Sequence, residues 1–148
     1  MPLHPLVVHA VVVLGPLAAL TGLTYAAVPR WRWLLRWPLV VLAVVTAVTS
    51  FWAVQAGEDL LRARPELEQV TEEHEESGEL MRNVALAYVP VSALAAWALG
   101  GVSALASGKG ARNTRLGVPV AVLLAVASVA LLVTLYLAGD SGARAVWG

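Results

Sequence analysis

Residues 116–139 read LGVPVAVLLAVASVALLVTLYLAG, 24 positions with no Asp, Glu, Lys, Arg or His. A helix needs about 20 predominantly apolar residues to cross the hydrocarbon core of a bilayer. Inside lipid every backbone N–H and C=O must be satisfied by the chain itself, which leaves helices and closed barrels as spanning structures. A barrel needs shorter segments with alternating polarity, and this stretch has neither property. The run therefore predicts a transmembrane helix.

Three more runs free of Asp, Glu, Lys and Arg match it: residues 5–29 (25 positions), 37–57 (21) and 83–108 (26). Each is long enough for one crossing and too short for two. The whole chain, residues 1–148, reads as one all-α integral membrane domain, a four-helix bundle with spans at about 5–29, 37–57, 83–106 and 117–139. Composition agrees. Of 148 residues, 59% are hydrophobic and 14% charged, with mean hydropathy +0.74. About a quarter would be charged in an ordinary soluble domain, so a water-soluble globule and a disordered tail are both excluded. Cysteine is absent, which excludes disulfides, thiolate zinc sites, self-liganded iron–sulfur clusters and covalent c-type haem.

The first run does not read as a cleavable signal, since no Lys or Arg precedes it and no clear small-residue cleavage site follows. Pro5 suits the first helical position, with His4 as the cap. Pro16 and Pro90 fall inside spans, where each removes a backbone hydrogen bond and is expected to bend its helix.

The connecting segments differ in kind. The first carries Arg30 and Arg32, with Arg36 at the start of the second span; the third carries Lys109, Arg112 and Arg115 around a flexible turn at 107–110. Between them, residues 58–82 hold nine carboxylates and three arginines. Short cytoplasmic loops are enriched in Lys and Arg. Six basic residues against four (Arg62, Arg64, Arg82, Arg144) place the first and third loops inside, and both termini and the acidic segment outside. Trp31, Trp33 and Trp37 would mark one interface, and Phe51, Trp52, Tyr88 and Tyr136 the other, with Trp97 a packing residue.

The acidic segment reads as helical from Pro65, with Leu67, Val70, His74, Ser77 and Met81 on one stripe and an interruption expected at Gly78. The stripe continues into Ala85, Tyr88, Ser92 and Ala96. Gly15, Ala19, Gly22 and Ala26 give the first span a comparable face of small residues, which lets helices approach closely in lipid.

No ionisable group lies near the middle of a span. Such groups usually mark ion or proton pathways, so the sequence argues against a pump, a proton-coupled antiporter or a voltage sensor. Function should sit at one end. All three histidines, His4, His9 and His74, reach the same end, with Glu58 and Asp59 closing the second span there and Asp140 and Ser141 the fourth. Imidazole is the commonest metal ligand. His4, His9, His74 and Glu58, with Asp140 as an additional candidate, could hold a divalent transition metal; His9 and His74 could hold one b-type haem axially. The same residues equally suit a cofactor-free bundle end stitched by hydrogen bonds. His4 could simply be solvated, and His74 among Glu72, Glu73, Glu75 and Glu76 could be an exposed side chain with a raised pKa. No nucleophile with a triad and no phosphate-cradling loop is present, so no catalytic residue is nominated.

The opening Leu3-His4-Pro5-Leu6-Val7-Val8-His9, with Gly57-Glu58, His74-Glu75 and the terminal stretch from Tyr136 to Ala143, resembles the bacterial membrane family known as domain of unknown function 2231. The resemblance runs over nearly the whole chain and implies four spans in a bacterial plasma membrane. Some such proteins are fused to Rieske-type or cytochrome-type domains, which implies a redox setting and a redox or membrane-protein partner. The polar positions of that family fall on His4, His9, Glu58 and His74. Where that family usually continues the second histidine with Phe-Pro, this chain has Ala10-Val11. Expected partners are the bilayer, such a membrane protein and identical copies in a homo-oligomer, without nucleic acid. The alternative function is a structural or assembly subunit whose acidic helix docks a partner protein.

Overall fold

A computed structural model describes residues 3–100 and 115–148. Four long helices account for nearly all of them: α1 (Leu3–Ala27), α2 (Arg32–Ala63), α3 (Glu68–Gly100) and α4 (Gly117–Trp147). Short 3-10 turns, Pro29–Trp31 and Pro65–Leu67, link α1 to α2 and α2 to α3. Each helix is long and apolar enough to cross a membrane. Among the described residues there is no strand. The third expected span ends outside the described residues, as do Lys109, Arg112 and the turn at 107–110.

Consecutive helices pack on one another, and α1 also packs on α4, closing a ring of four. With alternating direction, α1 and α3 begin at one end, here called the histidine end; α2 and α4 begin at the other, the arginine end. Two expectations about local structure change. His4 lies within α1, one residue past its start, and is not its cap. Gly78 does not interrupt α3, which runs unbroken from the acidic segment into the apolar run, through Pro90.

Small side chains fill the inside of the bundle, and large apolar ones cover the outside. Ala18, Ala19, Ala43, Ala85, Ala95 and Ala98 make up much of the core, with Leu39, Leu124 and Leu131 between them. Side chains such as Val13, Leu20, Val118 and Val126 face outward. That is the arrangement lipid favours: acyl chains are as apolar as leucine, so helices associate through close backbone approach and interhelical hydrogen bonds. Gly15 and Gly22 show the first device. A Cβ at Gly15 would meet Leu135, and one at Gly22 would meet the hydroxyls of Tyr88 and Ser128. Tyr88 shows the second: its hydroxyl donates to Ala18 O (3.1 Å) and lies 2.8 Å from Ser128 Oγ. Tyr88 is thus a core residue, not a member of an interfacial belt. Trp97, expected to pack inside, is exposed at the bundle's surface.

The arginine end carries a feature that charge counting does not predict. Arg36 is buried, and its Nε and Nη2 both donate to Ala96 O, at 3.0 and 2.7 Å. One turn earlier, Arg32 donates from Nε to Tyr25 O (2.8 Å) and from Nη2 to Ala26 O (2.9 Å). The Tyr25 and Ala26 carbonyls lie in the last turn of α1. Helix C-termini leave carbonyls without intrahelical partners and carry the negative end of the dipole. The first turn of α2 therefore caps the end of α1 with the Arg32 guanidinium, and Arg36 ties the same turn to the backbone of α3. Among the described residues no carboxylate pairs with either arginine.

Candidate functional site

At the histidine end the four helices surround a cavity of about 160 Å³. Its walls come from every helix: Val8 and Val11 from α1, Ala53 and Gly57 from α2, Met81 from α3, and Leu135 and Ala138 from α4. His4 and His74 also line it, with Glu58, Glu75 and Thr71. Leu67 leads into an inward stripe of α3 formed by Thr71, His74, Gly78 and Met81, in the three-and-four spacing of one helix face. Val70 and Ser77, expected on that face, do not line the cavity, and Val70 is exposed.

The two imidazoles meet across the bundle, their centroids 6.4 Å apart and their planes near perpendicular. Each is anchored first to a neighbouring helix. His4 Nδ1 lies 3.0 Å from Ala53 O, tying α1 to α2. His74 Nδ1 lies 3.1 Å from Ala138 O and 3.2 Å from Ser141 Oγ, tying α3 to α4. A carbonyl oxygen can only accept, so Nδ1 carries a proton in both rings, and in the neutral ring Nε2 is the acceptor. Among the described residues nothing donates to either Nε2.

Glycines admit these rings. A Cβ at Gly57 would stand 3.4 Å from His4 Cε1, and one at Gly142 would stand 2.9 Å from His74 Cε1. Both glycines lie in or beside the segments that carried the family resemblance, which is the one sequence signal for them. Ser141 donates to Ala138 O and stands beside His74; the sequence marked it as closing the fourth span and gave no sign of its imidazole partner.

His74 is therefore not the exposed, glutamate-raised histidine its neighbours in sequence allowed. It lies in the acidic part of α3, ahead of the apolar run that begins at Asn83. Burial lowers its pKa; the hydrogen bond to Ala138 opposes the shift, and nearby His4 reinforces it. The ring is neutral at pH 7.

The remaining nominated residues lie differently. His9 is exposed, and its Nδ1 is engaged 2.6 Å away with Pro5 O of its own helix. It does not line the cavity. Five residues after His4, it has turned to another face of α1. The structure thus brings together His4 and His74, not the His9–His74 pair favoured for haem. Glu58 lines the cavity while lying 3.5 Å from Arg62 Nη2 and 3.4 Å from Gln55 Nε2. Asp140 is salt-bridged to Arg144 and is not among the cavity walls. Arg144 also lies 3.8 Å from Glu73, a second link between α3 and α4. Among the described residues, no three His, Cys, Asp or Glu side chains cluster in a way that could hold a metal ion.

Four apolar helices of spanning length among the described residues agree with the family model that the sequence matches. The chain belongs to the DUF2231 family of predicted membrane proteins. The match covers residues 1–148. No curated protein and no solved structure matches the chain.

Proposed function

We propose that this DUF2231 protein holds a transition-metal centre at its histidine end, with His4 and His74 as imidazole ligands, in a redox or electron-transfer setting. One observation carries the reading: both rings line one cavity, and both Nδ1–H groups are engaged with backbone carbonyls, which leaves Nε2 for a ligand. Metal-bound histidines almost always donate their other ring N–H in this way, which sets tautomer and orientation. The 6.4 Å separation of the centroids stands at the outer limit for two imidazoles on one metal with metal–nitrogen distances of about 2.0–2.1 Å, so a bound ion would draw the rings slightly together.

A single ion fits this cavity better than haem. A comparable apolar cavity of about 150 Å³ admits one benzene, whereas a porphyrin carries four rings of about that size. A divalent ion would take His4, His74, the Glu58 carboxylate and water. The test is metal analysis with an optical spectrum on the detergent-purified chain. The expected result is one metal per chain, lost in His4→Ala and His74→Ala and kept in His9→Ala. A Soret band would move the assignment to haem.

A second reading has its own support. Each imidazole already bridges two helices, so the pair would stitch the bundle end in a cofactor-free structural subunit, with the acidic half of α3 free to dock a partner. A colourless, metal-free preparation in which His4→Ala lowers thermal stability would favour it.

A further inference from the structure

With both imidazoles neutral, the polar side chains lining the cavity offer acceptors and no free donor. His4 and His74 have Nδ1–H engaged with backbone carbonyls, Glu58 and Glu75 are carboxylates, and the Thr71 hydroxyl already donates its proton to Leu67 O at 3.0 Å. The rest of the wall is aliphatic or thioether. A guest that is itself only an acceptor, such as a ketone, a carboxylate or a phosphate, finds nothing to donate to it and would leave both sides unpaired. The guest has to bring its own protons and an apolar body.

Size and access narrow the class further. At about 160 Å³ the chamber is close to the roughly 150 Å³ of an apolar cavity that takes benzene. Val12 and Leu60 line it and are also exposed, at 57% and 40%. The cavity therefore reaches the surface of the bundle, and beside Val12, within the first apolar run, a membrane-dissolved molecule would approach.

We propose that the chamber beneath His4 and His74 binds the ring of a lipid-soluble hydroquinone, which donates its hydroxyl to an imidazole Nε2. The inference shares with the metal reading only the tautomers of the two histidines and requires no metal. Selectivity follows from hydrogen-bond direction. A quinone has nearly the shape of its hydroquinone but only accepts, so the cavity prefers the reduced form.

The experiment uses the full-length chain in detergent after chelation, with methylhydroquinone, methylquinone and toluene as probes and calorimetry as readout. The absence of cysteine removes the thiols to which a quinone would add. The expected result is methylhydroquinone binding about tenfold more tightly than methylquinone, the scale of one well-made hydrogen bond, with toluene also weaker. In Ala138→Leu, checked for retained helix content by circular dichroism, the larger side chain fills the chamber and binding falls at least tenfold. Equal binding of quinone and hydroquinone overturns the proposal, as does no binding by the metal-free chain or wild-type affinity in Ala138→Leu. Metal content measured before chelation reports on the metal reading alone, so the two can fail separately.

Discussion

A glycine decides where His74 can stand. Gly142→Ala would place a methyl group 2.9 Å from His74 Cε1, whereas at Gly139, three residues earlier in α4, nothing lies within 4 Å of the added Cβ. Overpacking of this kind costs about 1–3 kcal/mol. Gly142→Ala should therefore lower the thermal midpoint by several degrees, and Gly139→Ala should leave it unchanged or raise it slightly; a scan in one detergent compares them directly. His74 itself should make stability depend on pH. Its folded pKa is depressed, so the unfolded chain takes up a proton more readily. The contribution is complete above the ordinary histidine value of about 6.5 and is lost as pH falls from there through the folded value. Thermal scans between about pH 8 and pH 5, which bracket that value, should show this decline in the wild type and a smaller one in His74→Asn. A decline of equal size in both would assign it to other groups.

At the scale of elements, the first turn of α2 carries two arginines bonded to the backbones of its neighbours. Removing Arg36 takes a charged hydrogen-bond donor away from Ala96 O in a buried setting, and hydrogen bonds to charged groups contribute about 1.5–3 kcal/mol. Arg36→Leu should therefore destabilise the bundle clearly, measured by heat or by detergent challenge. Arg30→Leu, which removes only an exposed side chain stacked over Trp31, should change little. The four helices themselves were legible from charge-free runs, because the hydrocarbon thickness leaves little choice of length or structure. So was the end that collects the histidines, because alternating helices bring the starts of α1 and α3 together. The facing of individual side chains was not. His4 rather than His9 meets His74 because α1 begins at Leu3 and turns the later ring outward. Arg36, read at the start of the second span, entered only a count of basic residues, and such a count carries no information about carbonyls on neighbouring helices. Tyr88 looked interfacial because aromatic composition does not reveal a glycine, here Gly22, that opens a place for a hydroxyl in the core.

For the whole molecule, four helices return the chain to the side it started from. The chain has no cysteine, so the single variants Glu66→Cys, Ala143→Cys and Arg30→Cys can each be probed with a membrane-impermeant thiol reagent in intact vesicles. Glu66→Cys and Ala143→Cys should react from one side, and Arg30→Cys from the other. Reaction of all three from the same side would rule out the arrangement of spans.

The contact between His4 and His74 joins one helical hairpin to the other. Each ring is bolted within its own hairpin, His4 across α1 and α2 and His74 across α3 and α4. Together they form a clasp over the seam between hairpins, while the Arg36 guanidinium welds α2 to α3 at the opposite end. A guest seated beneath the rings would press on that clasp from below, so filling the chamber should be felt in how the two hairpins sit against each other.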